Sequence, residues 1–71
     1  MASKNDEKAR KGLGSRLRNA REKAGLTQAD VAARADVNVN YYAQIERGEV
    51  NTSFEKLHGI MKALKIKSLD L

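Results

Sequence analysis

The chain has 71 residues and a net charge of +5, with one histidine and no cysteine, proline or tryptophan. That length supports one small domain and no second core, and the lack of cysteine excludes disulfides and thiolate metal sites. No apolar run approaches the ~20 residues of a membrane span, and the opening MASKNDEKARKG has no apolar signal region, so a cytoplasmic protein is expected.

The charge is unevenly spread. Met1 to Lys23 hold eight basic residues (Lys4, Lys8, Arg10, Lys11, Arg16, Arg18, Arg21 and Lys23) against three acids, which accounts for the whole excess. Such an end faces a polyanion or serves only to solubilise. Residues 1–11 are polar and without apolar periodicity, and read as a flexible basic arm before a folded domain spanning 12–71. As a functional element, that arm would order along nucleic acid by phosphate contact.

Leu13, Leu17, Ala20 and Ala24 then recur at i, i+4, i+7 and i+11, the stripe of an amphipathic helix from about Gly12 to Ala24, with Gly25 as its stop. Thr27 is placed to cap a second helix, Gln28 to Ala35, in which Asp30 suits the positive end of the dipole. Its apolar face of Val31, Ala32 and Ala35 is narrow, so a neighbour must pass close to it. Asp36, Val37 and Asn38 form a turn-prone link to a third helix, about Val39 to Arg47, closed by Gly48. At about 100° per residue, Tyr42 and Ile45 of that helix fall on one side and Asn40, Ala43, Gln44 and Arg47 on the other. A fourth helix is signalled by a capping box from Thr52 to Glu55 and by Phe54, Leu57, Ile60, Met61 and Leu64 as a core stripe. Ile66, Leu69 and Leu71 leave room for one further turn at most.

Two short helices joined by about three residues, alanine-rich in the first and amide-rich on the outer face of the second, describe a helix-turn-helix. Val31, Val37, Tyr42 and Ile45 would seal it from inside, with Ala32 at the close crossing. The stretch LTQADVAARADVNVNYYAQIERGEVNTSFEKLHGIMKAL resembles the lambdoid-repressor family, the Xre or Cro/C1-type helix-turn-helix domains, over about Leu13 to Leu69. The matching pieces are Leu26-Thr27-Gln28, Val31-Ala32, Gln44 to Gly48, Asn51 and Ala63-Leu64.

The resemblance implies an all-α fold, a compact bundle of four to five short helices around a central helix-turn-helix. It also implies a transcriptional regulator that binds double-stranded DNA sequence-specifically, with the third helix in the major groove, as a homodimer on a two-fold-symmetric operator. Asn38, Val39, Asn40 and Gln44 match base-reading positions, where Asn and Gln can pair with adenine and Val39 can meet a thymine methyl. Gln28, Tyr41, Arg47, Asn51, Thr52 and Arg16 are the implied phosphate contacts; the alternative for Tyr41 is mere partial burial. Arg21 and Glu46 resemble a structural pair tying the first helix to the third. Four departures stand out. Asp36 replaces a turn glycine, Glu49 brings an acid to a phosphate-facing loop, Lys65 replaces a glycine after the fourth helix, and the sequence stops where the family's fifth, dimer-forming helix would begin.

Catalysis has no nucleophile, base and orienting group to work with, so no enzyme is expected. His58 lacks a second ligand at metal spacing, and neither metal nor cofactor is expected. The reading from a different class is a protein-binding adaptor or antitoxin-like module, whose partner is a toxin or another regulator and whose DNA binding is weak and indifferent to sequence.

Overall fold

The structure, a computed structural model, describes residues 4–66 as four helices: α1 (Lys4–Lys23), α2 (Gln28–Ala35), α3 (Val39–Arg47) and α4 (Phe54–Ala63). The expected turn with Leu69 and Leu71, and the first three residues of the arm, lie outside the described residues. Helix α1 packs on α3, and α2 packs on both α3 and α4. At their junction Leu17, Val31, Ala32, Tyr42, Ile45, Ile60 and Leu64 form the buried core, with Leu13, Ala20, Leu26, Val37, Val50 and Leu57 around it.

Local chemistry sets the middle helices where the sequence places them. The Thr27 hydroxyl accepts from the Asp30 N–H at 3.0 Å while the Asp30 carboxylate accepts from the Thr27 N–H at 2.9 Å, so Asp30 closes a capping box as well as facing the dipole. Asp36 ends α2 in the left-handed region (φ 58°, ψ 46°), its N–H shared between the Ala32 and Ala33 carbonyls. The chain then turns at once into α3, and Gly48 closes that helix at φ 73°.

Three expectations need correction. Residues 4–11 are the first turns of α1 and not a frayed arm. What extends the helix is tertiary anchoring, because Arg10 Nε donates to the Gly48 carbonyl at 3.1 Å and Lys11 packs so closely on Gly48 that a Cβ there would lie 2.8 Å from its backbone. The cap of α4 is Ser53, whose hydroxyl accepts from the Lys56 N–H at 3.2 Å, and not Thr52. With Lys56 at the third helical position no carboxylate is there to return the bond, so the reciprocal box does not form. Phe54, expected in the core stripe, is 83% exposed. It lies about 80° around the helix from the line through Leu57, Ile60 and Leu64, and stacks instead on His58 at 6.4 Å.

Both residues that depart from glycine, Asp36 and Lys65, are held at φ 58°. Lys65 follows α4, and its N–H and that of Ile66 close back onto the Lys62 and Met61 carbonyls at 3.1 and 3.0 Å. A lysine Cβ is strained there, whereas an aspartate tolerates the region better. Lys65→Gly is therefore expected to stabilise the fold by ~1 kcal/mol after the entropy that glycine loses, and Asp36→Gly by less. Urea unfolding midpoints at constant slope would measure both.

Candidate nucleic-acid interface

Helix α3 turns Tyr42 and Ile45 into the core, and both are essentially inaccessible. The side opposite them carries Asn40, Gln44 and Arg47, which fall within about 60° of one another around the axis, with Val39 and Ala43 alongside. Asn40 and Arg47 are exposed, Gln44 is half-buried, and Val39 keeps 41% of its surface. Amides and a guanidinium beside one small apolar group form a surface suited to flat, polar edges with an occasional methyl.

Asn38 stands differently from the other candidates. It is the N-cap of α3, and its Oδ1 accepts from the Asn40 N–H at 2.7 Å and the Tyr41 N–H at 3.3 Å. Its oxygen is spent on the helix, so a two-pronged pairing with adenine is closed to it and only its amide N–H groups remain to donate. Tyr41 is half-buried against the edge of the core. Asn51, exposed, and Thr52, half-buried, occupy the loop between α3 and α4.

The three remaining phosphate candidates fall into two places. Gln28 and Arg47 meet in a cleft of ≈ 290 Å³ that is also lined by Arg18, Arg21 and Glu46. Arg16 does not join them; it lies about 200° around α1 from Arg18 and lines a separate, mostly apolar groove with Ala9, Gly12, Leu13 and Leu57. Arg18 is thus a cleft residue that the sequence reading passed over. The signal for it was there, since Arg18 and Arg21 are three residues apart on one helical face.

Glu46 forms the floor of the cleft. Its carboxylate accepts from Arg21 Nε at 2.7 Å and Arg21 Nη2 at 3.1 Å, and from Gln28 Nε2 at 3.0 Å. Arg21 also donates to the Leu26 carbonyl at 3.0 Å, so one guanidinium ties α1, the α1–α2 turn and α3 together. The expected structural pair is present and nearly dry, with 3% of the Glu46 side chain and 13% of Arg21 exposed. Burial alone would push the Glu46 carboxyl up, but hydrogen bonds from Arg21 and Gln28, with the Tyr42 hydroxyl close by, outweigh it and hold the group below its ordinary value. Burial pushes the Tyr42 phenol upward, with the Glu46 charge adding to it. That hydroxyl has no hydrogen bond of good geometry among the described residues, so its influence on Glu46 is one of proximity. Because Gln28 donates to Glu46, only its second amide N–H and its backbone N–H, at the start of α2, are left for an outside anion.

Comparison with known proteins agrees with the helix-turn-helix fold. Residues 17–71 match the family HTH_3, Helix-turn-helix. Among curated proteins, the HTH-type transcriptional regulator DdrOP3 of Deinococcus deserti is 37% identical over 59 residues, covering 83% of this chain. The chain spans about half the length of that relative, 46%. Among solved structures, the restriction-modification controller protein C.AhdI from Aeromonas hydrophila superposes with a TM-score of 0.83 at 30% identity, over 84% of this chain and 91% of that one. The clp gene regulator ClgR from C. glutamicum follows with a TM-score of 0.78 at 33% identity, over 80% of this chain and 73% of that one. With four helices among the described residues, a central helix-turn-helix and these relatives, the chain belongs to the Cro/C1-type helix-turn-helix family.

Proposed function

We propose that this protein regulates transcription by reading a specific double-stranded DNA site with α3 in the major groove, as a homodimer on a two-fold-symmetric operator. The observation that carries the reading is the outer face of α3, where Asn40, Gln44 and Arg47 align beside the exposed Val39. A helix that binds protein more often turns aromatic or aliphatic anchors outward. The names of the controller protein C.AhdI and the regulator ClgR support the same class of activity. In this reading Asn40 and Gln44 read bases, Val39 meets a methyl, and Asn38 contributes one donated bond. Gln28, Arg47 and the loop through Asn51 and Thr52 hold phosphates, with Tyr41 at the margin and Arg16 toward the α1–α4 groove. The protein would act in the cytoplasm.

Asn40→Ala or Gln44→Ala should each cost ~1–3 kcal/mol on the preferred duplex and relax discrimination at one base position. Titrating the preferred duplex and its point variants against each protein measures this. Unchanged discrimination in both variants would remove base reading.

A second reading, an adaptor or antitoxin-like module for a protein partner such as a toxin or another regulator, is favoured by a different observation. Phe54, 83% exposed and stacked on His58, offers an aromatic anchor at the start of α4. That reading requires DNA binding that is weak and the same for every sequence.

A further inference from the structure

All three arginines that line the cleft are already paired with carboxylates. Arg21 is locked to buried Glu46, Arg18 Nε lies 3.5 Å from Glu22, and Arg47 grips Glu49 through Nε and Nη2 at 3.0 Å each. The cleft and its rim therefore hold three cations and three anions. The Arg21 pair is buried, so it stays. The other two are more than half exposed, and exposed pairs are weak enough to exchange partners.

Glu49 is the better placed of the two exchangeable acids. It lies two residues beyond Arg47, past the turn at Gly48, and its two oxygens face two guanidinium nitrogens in the forked geometry that arginine also uses for phosphate. Each member of the pair shifts the other in the expected sense, Glu49 downward and Arg47 upward, so the carboxylate is ionised at neutral pH.

We propose that Glu49 is a positioning residue that stands in for phosphate: it occupies Arg47 in the free protein, yields it to the DNA backbone on binding, and so lowers affinity for duplex of any sequence. The inference rests on the DNA reading above. Phosphate contacts carry no base information, so Glu49 sets the strength of binding and leaves the choice of site to Asn40 and Gln44.

The test compares the full chain with Glu49→Gln, Arg47→Ala and the double variant, each titrated with the preferred duplex and with a scrambled duplex of the same length across a salt series. Thermal unfolding of all four confirms that each is folded. Glu49→Gln is expected to bind both duplexes roughly two- to five-fold tighter, with the slope of log affinity against log salt steeper by about one. In the Arg47→Ala background the same change should give much less. Three results would overturn the proposal: no tightening, tightening of one duplex alone, or equal tightening without Arg47. Failure of every protein to bind either duplex would overturn the DNA reading as well, so the two failures are distinguishable.

Discussion

Replacing Arg21 with alanine is expected to destabilise the protein by about 3–5 kcal/mol, the range for breaking a buried ion pair by removing one partner. The cost does not come from the attraction itself. It comes from leaving the Glu46 carboxylate, with 3% of its side chain exposed, without two of the three nitrogen donors that now satisfy it, since only Gln28 would remain. Glu46→Gln in the same background should recover much of the loss, because a neutral amide costs less to bury than an unpaired charge. Chemical denaturation of the unaltered chain, the two single variants and the double variant measures both changes, and additive losses would remove the coupling claimed for the pair. The pair also has a pH signature. Glu46 sits below its ordinary value of 4.5 when folded, so the unfolded state takes up the proton first. Its contribution is complete above that value and is lost as pH falls from there through the folded value.

Gly14 and Gly12 should respond to alanine in opposite directions although they lie two residues apart in one helix. A Cβ at Gly14 would come within 2.6 Å of the Ile45 carbonyl oxygen and closer still to that of Glu46, both backbone atoms at the end of α3. No side-chain rotation relieves such a contact. Helix α1 must move away from α3, which strains the core at Leu17 and the Arg21–Glu46 pair together, so Gly14→Ala should cost about 1–3 kcal/mol or more. A Cβ at Gly12 meets nothing within 4 Å. Gly12→Ala should therefore stabilise by roughly 0.5–1 kcal/mol, the ordinary gain for alanine over glycine inside a helix. Thermal or urea unfolding of the two variants tests this, and a stabilising Gly14→Ala would show that the close approach of α1 to α3 is not a constraint.

The contrast between these glycines illustrates which parts of the fold were legible in the sequence. Helices α2 and α3 end where local chemistry ends them, with Thr27 and Asp30 at one start, Asn38 at the other, and Asp36 and Gly48 in left-handed caps. Each of those devices is encoded within a few residues, so all but the Asn38 cap could be read from a string. The start of α1 depends on Arg10 reaching the Gly48 carbonyl, 38 positions away, and on Lys11 fitting against Gly48. Periodicity carries no trace of either contact. For Gly14 the sequence is misleading, because a glycine inside a helix reads as a weak point when it is in fact the space into which α3 fits. Phe54 fails for a simpler reason: apolar character suggested burial, while its angle on α4 turns it outward.

The site divides in the same way. The amide stripe of α3 follows from helical geometry alone, and the Arg21–Glu46 pair followed from the family resemblance. The second role of Asn38 was hidden because capping and base reading call for the same residue type at the start of a helix. Arg18 was passed over in favour of Arg16, although its place three residues before Arg21 puts both on one helical face, and the packing of α1 sends the two arginines to different grooves. Glu49 was legible as a misfit in the loop, but its grip on Arg47 was not.

The central claim is that α3 reads bases, and the most direct measurement is in-vitro selection from a random duplex pool, read by sequencing, at near-physiological salt so that charge alone does not hold the complex. The expected result is an enriched two-fold-symmetric motif with half-sites about one helical turn apart, and a pool that emerges without enrichment would contradict the claim.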